Sequence, residues 1–119
     1  MVTLAATKSY GQCPGKGGGT FTGTELAEPM TSARTIVLGS AVCGLLAKGG
    51  NDTFTLAAKK GDCLEVDFHS KSAQLHVLGA GINVNAAGDD VSQLRATANG
   101  TLSITVSAAS TDEYTLMVR

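Results

Sequence analysis

From residue 54 onward apolar residues recur at every second position: Leu64, Val66 and Phe68, then Leu75 and Val77, then Leu102, Ile104 and Val106, then Tyr114, Leu116 and Val118. Successive side chains of a β-strand project to opposite sides, so period two marks a strand that buries one face. The alternate positions, such as Glu65 and Asp67 or Ser103, Thr105 and Ser107, are polar or small, and each strand is expected to turn its second face to water. Turn formers separate the runs: Lys59-Lys60-Gly61-Asp62, Ser70-Lys71-Ser72, Gly79-Ala80-Gly81, Gly88-Asp89-Asp90, Asn99-Gly100 and Ser110-Thr111-Asp112. A pitch of roughly 8 to 12 residues predicts an all-β fold, a sandwich or barrel of about eight or nine short antiparallel strands.

The segment 34–47 is more uniformly apolar and is interrupted at Gly39-Ser40, which predicts two strands joined by a turn. Residues 11–19 hold five glycines and Pro14 and read as a flexible loop, followed by a short alternating strand at Thr20-Phe21-Thr22. Helix is expected to be nearly absent. Only 32–38 and 91–98 could form a turn or so, and neither has a full amphipathic face.

The chain has 119 residues, which is one domain spanning 1–119, and its 43% hydrophobic and 16% charged composition is that of a folding chain. The net charge of −1 comes from scattered lysines, arginines and acids, so there is no basic footprint for nucleic acid or an anionic membrane surface. The longest apolar stretch, near 35–46, falls well short of the roughly 20 residues a membrane-spanning helix needs. The start, Met1 to Lys8, lacks the pattern of a signal peptide, which fits either a cytosolic protein or a mature exported form.

Around Asn51-Asp52-Thr53-Phe54-Thr55-Leu56, the turn Lys59-Lys60-Gly61-Asp62 and the strand Leu64-Glu65-Val66-Asp67-Phe68, the chain resembles the bacterial pre-peptidase C-terminal domain family. Ala27-Glu28-Pro29-Met30 and Val42-Cys43-Gly44-Leu45 look like that family's leading strands, and Leu102 to Val106 with Tyr114 to Val118 look like its final hairpin. The resemblance covers roughly residues 27 to 119 and implies an antiparallel β-sandwich of jelly-roll type, non-catalytic and appended to secreted enzymes. A second likeness is to periplasmic inhibitors of g-type lysozyme, small free-standing sandwiches in which a strand like Asp52 to Ala57 runs into a turn like Lys59-Lys60-Gly61. Both imply an exported protein, secreted or periplasmic, with a protein or polysaccharide surface as partner.

Few residues suggest chemistry. Cys63, His69 and His76 are soft ligand types, but Cys63 and His69 lie about 20 Å apart along one strand and cannot share a metal unless it bends. Asp52, Glu65 and Asp67 are the acid candidates, and Glu65 and Asp67 are expected on a hydrated sheet face. No serine sits in a nucleophile elbow, and Gly15 to Thr20 lacks the spacing of a phosphate loop. Asn85, Asp89 and Asp90 gather oxygen ligands near one turn and are the candidate binding residues, with calcium as a conceivable ligand there, although turn chemistry explains them as well.

The three cysteines, Cys13, Cys43 and Cys63, allow three single bridges or none. A Cys43 to Cys63 bridge would close a loop of about 20 residues, worth roughly 3 kcal/mol. Lys48, Lys59, Lys60 and Lys71 could guard strand edges. The expectation is therefore a non-enzymatic binding or accessory sandwich without a required cofactor, recognising a polymer or protein surface through loops or one exposed sheet face. The alternative is a stand-alone inhibitor of a cell-wall lytic enzyme.

Overall fold

The computed structural model describes the backbone at 7–10 and 24–25 and all atoms of 32–119. The expected loop at 11–19 with Cys13, the strand at Thr20-Phe21-Thr22 and the leading segment Ala27 to Met30 lie outside the described residues. The strands are β1 (Thr7–Tyr10), β2 (Thr24–Glu25), β3 (Arg34–Thr35), β4 (Ala41–Leu46), β5 (Asn51–Ala58), β6 (Cys63–Ser70), β7 (Gln74–Gly79), β8 (Ile82–Ala87), β9 (Asp90–Arg95), β10 (Gly100–Ser107) and β11 (Asp112–Val118). Nine of them have four residues or more, β2 and β3 having two each, and the described residues contain no helix.

Two sheets pack face to face. The first runs β1-β9-β6-β11-β4-β2 and the second β3-β5-β10-β7-β8. Pairing is antiparallel except for the short contacts of β1 with β9, β2 with β4 and β3 with β5. The turns recognised in the sequence mostly carry the chain from one sheet to the other: β5 to β6, β6 to β7, β8 to β9, β9 to β10 and β10 to β11 all cross. The β7–β8 connection is a tight hairpin instead, with Ala80 (φ 52°) and Gly81 (φ 81°) both left-handed, as a two-residue turn of type I′ requires.

The core is mainly aliphatic, in a chain that has three Phe, two Tyr and no Trp. Phe54, Leu102, Ile104, Val106 and Val77 from the second sheet meet Phe68, Leu64, Val66, Leu94, Leu116 and Val118 from the first. One polar bridge crosses it: the Tyr114 hydroxyl on β11 donates to Asp52 Oδ2 on β5, and both residues are buried. Gly44 faces Tyr114 directly in the β4–β11 register, and a Cβ there would run into the tyrosine ring. The same ring lies 6.0 Å from Phe68.

Three expectations are corrected. The segment 91–98 is largely strand β9, whose residues 90–94 are buried on both faces and so show no alternation. Glu65 and Asp67 are not hydrated: both are 0% exposed, with the Arg119 guanidinium beside them. Cys43 and Cys63 are not bridged, since Cys43 is a free thiol and Cys63 is in a disulfide. Register explains this: Cys43 faces Thr115 and, one strand further, His69, six residues from Cys63. That offset is roughly 20 Å along β6, whereas bridged Cα atoms lie within about 7 Å.

Candidate functional site

Two features outside the core hold clustered polar chemistry. The first is on the outer face of the first sheet, where Glu65 on β6 stands directly across from Arg119, whose backbone extends the β11 ladder through two hydrogen bonds with Glu65 of 2.7 and 2.9 Å. Their side chains share a face, and Arg119 Nε donates to Glu65 Oε2 at 2.7 Å. Arg119 Nη2 lies 3.4 Å from Asp67 Oδ2, the next residue on that face. One guanidinium thus offsets two carboxyl groups. Burial, then the negative charge of Glu65, push Asp67 up to about 6, while Arg119 pulls the other way.

Two carboxyl groups with different proton affinities are what acid–base catalysis uses. Here both are sealed from solvent, however, and Arg119 Nε is bonded to Glu65 Oε2. The cluster acts as a buried brace between β6 and the end of β11. His69 continues the row toward the β8–β9 turn; it is buried rather than solvated, and its Nδ1 lies 3.4 Å from Asp89 Oδ1.

The second feature is the outer face of the second sheet. Period two and the register fix what it presents. Thr53, Thr55, Ser103 and Thr105 form its centre on β5 and β10; His76 and Leu78 on β7 and Asn83 and Asn85 on β8 extend it. Thr53, Thr105, His76 and Asn85 line up as one row across four strands, and Thr55, Ser103, Leu78 and Asn83 as the next. Rows are spaced about 6.8 Å and strands about 4.8 Å, which sets a regular grid of hydroxyl and amide groups. His76 Nε2 and Asn83 Oδ1 are 2.8 Å apart on this surface.

Among the described residues this face carries no Lys, Arg, Asp or Glu side chain. The charged residues on these five strands are Arg34 and Asp52, and both have the parity of the inner face: Arg34 pairs with Phe54, and Asp52 is the partner of Tyr114. Charge elsewhere on the described chain sits in turns or on the first sheet.

Of the residues expected to bind, Asn85 is exposed on this face, beside a shallow depression lined by Gln74, Ala86 and Ala87. Asp89 faces His69, and Asp90 is buried and accepts from Ser92 Oγ at 2.7 Å. The turn therefore splits the three between different jobs. Among the described residues no group of three or more His, Cys, Asp and Glu side chains is placed to hold a metal ion. Cys63, His69 and His76 are also kept apart, with Cys63 in its disulfide, His69 on the first sheet and His76 on the second. The grid was readable in part: its signal is that the polar positions of β5, β8 and β10 are Thr, Ser and Asn where a merely solvated face would carry Lys and Glu.

No protein-family model matches the chain, and no curated protein sequence matches it significantly. Solved structures do resemble it. The pre-peptidase C-terminal domain of a collagenase from Bacillus anthracis superposes with a TM-score of 0.60 at 15% identity, over 78% of this chain and 100% of that one. The periplasmic inhibitor of g-type lysozyme from Aeromonas hydrophila gives 0.54 at 18% identity, over 74% and 100%. Its counterpart from Salmonella Typhimurium gives 0.52 at 14%, over 73% and 98%. The chain shares the fold of both groups, the same two that its sequence resembles.

Proposed function

We propose that this chain is a non-catalytic binding domain of an exported protein, and that the outer face of the second sheet is its contact surface. The absence of charge from that face carries the proposal. A solvated sheet face ordinarily scatters Lys and Glu over its outward positions, which keeps edges and faces from sticking. A grid of Thr, Ser and Asn, with His76 and Leu78 on the strand between, matches instead a surface of uncharged hydroxyl and amide groups, such as a neutral polysaccharide. Binding of this kind draws on many weak hydrogen bonds and not on ion pairs, so it should depend little on salt.

The test is retention on insoluble chitin and cellulose. Wild-type protein is expected to be depleted from solution at about 0.1 mM and to remain bound in 0.5 M NaCl. Recovery of all the protein in the supernatant with both polymers would overturn the proposal.

The likeness to two lysozyme inhibitors over nearly their full length supports a second reading, a protein partner of the same chemical class as theirs. Residual activity of a g-type lysozyme in the presence of micromolar protein separates the two. Inhibition would favour the second.

A further inference from the structure

We infer that the chain self-associates through β8, two copies joining edge to edge so that their second sheets become one. The inference starts from the free edge of that sheet. β8 is its last strand, and among the described residues nothing pairs beyond it. In a two-residue hairpin the residues flanking the turn exchange hydrogen bonds and the pattern alternates outward from there. Gly79 and Ile82 flank this turn, so Ile82, Val84 and Ala86 bond to β7, in step with the bond from Gly88 N to Ala73 O at the far end. The backbone N–H and C=O groups of Asn83, Asn85 and Ala87 therefore point away from the sheet.

Natural edges are usually blunted by lysine, proline, a bulge or brevity. β8 has none of these: it is six residues long, Ile-Asn-Val-Asn-Ala-Ala, regularly paired with β7, and uncharged. The lysines that the sequence offers as guards lie in turns on other elements.

The occupant that fits is a second copy of the same strand. With the two-fold axis at Asn85, antiparallel pairing sets Asn85 opposite Asn85 of the second copy, and Asn83 opposite Ala87. All six outward backbone groups on each strand are then used. On the inner side Val84, which is partly buried against the core, faces Ala86 of the second copy and closes the rim of both cores. The other edge of the sheet, β3, pairs through two residues and is too short to template a further strand, so assembly stops at a closed dimer. The product is a ten-stranded sheet with a continuous uncharged outer face, whatever that face binds.

Sedimentation velocity from 10 µM to 1 mM, with the free thiol alkylated, tests this. A monomer–dimer equilibrium with a dissociation constant on the order of 0.1 mM is expected, at the weak end of protein interfaces. Asn85→Pro removes an N–H that the monomer does not use, and Asn85→Lys sets two like charges against each other at the axis. Each should weaken association at least tenfold while leaving the circular dichroism spectrum of the monomer unchanged. Amide exchange on the wild type gives a readout that needs no variant: protection at Asn83, Asn85 and Ala87 should rise with protein concentration. A monomer throughout the range, or a dimer that both substitutions leave intact, would overturn the inference, as would concentration-independent exchange at these three amides.

Discussion

Replacing Asp67 by Asn should make the protein more stable at neutral pH, and the size of the gain follows from the carboxyl pair. Asp67 is held at about 6 against an ordinary 3.8, a rise of roughly two pH units, because it is buried and faces Glu65 with a single guanidinium between them. At 1.36 kcal/mol per unit this is about 3 kcal/mol. The sign follows from proton uptake. Below about pH 4 both folded and unfolded chains hold this proton, and the contribution to stability is complete. Between about 4 and 6 the unfolded chain releases it while the folded chain keeps it, so stability is lost as pH rises and the loss is finished above 6. An asparagine has the same shape, carries no charge, and can donate to Glu65 in place of the proton. Urea unfolding at pH 4 and pH 7.5 should therefore give wild type and Asp67→Asn similar stabilities at the lower pH, with the variant about 2 to 3 kcal/mol more stable at the higher. Taking the difference between the two proteins cancels every titrating group that does not interact with Asp67 and leaves the coupled Asp67–Glu65 pair. A difference that does not change with pH, or one that favours the wild type at pH 7.5, would refute the reasoning.

Gly44→Ala places a methyl group against the Tyr114 ring and drives its hydroxyl from Asp52, leaving a buried carboxyl oxygen without its donor. A loss of about 2 to 4 kcal/mol in chemical unfolding is expected, and wild-type stability would show that the ring has room to move. Asp112 accepts from the backbone N–H groups of Ser72 and Ala73 at 2.7 and 2.8 Å; burial alone would raise its pKa, but these bonds, with others from Lys71 and Glu113, hold it below the usual value. Asp112→Ala should cost about 1 to 3 kcal/mol at pH 7. That cost should shrink as pH falls below about 4, where the unfolded chain takes up the proton before the folded one does, and a pH-independent cost would assign the effect to packing.

The strands that could be read from the sequence are those with one wet face. β5, β7, β10 and the first half of β11 bury alternate residues, and Leu102, Ile104 and Val106 announce their strand because Ser103 and Thr105 do not follow them inward. β6 has equally clear alternation, yet the reading of its second face fails: Glu65 and Asp67 look hydrated until Arg119, 54 residues after Glu65, arrives beside them. A pairing at that separation leaves no mark in either segment. β9 is hidden for the opposite reason, since Ser92 and Gln93 are buried together with Val91 and Leu94 and erase the period. Turn chemistry located the connections but not their destinations. Lys59 to Asp62 reads like the tip of a hairpin, and in the structure it carries the chain from the second sheet to the first. The binding face was visible as residue types on β5, β8 and β10, but its continuity depends on a register that brings β5 and β10, more than 40 residues apart, side by side. The oxygen ligands near Asp89 were close in sequence, and it is the change of sheet at that turn that separates them.

The proposed contact surface is tested most directly by placing one charge on it and one elsewhere. Thr105 lies at the centre of the second sheet's outer face, between Thr53 and His76, whereas Leu45 is 52% exposed on the outer face of the first sheet. Binding isotherms on insoluble chitin and cellulose should show Thr105→Glu weakened at least tenfold and Leu45→Glu equal to wild type, with all three proteins unfolding at the same urea concentration. Equal binding by wild type and Thr105→Glu, or an equal loss in both variants, would contradict the assignment of that face.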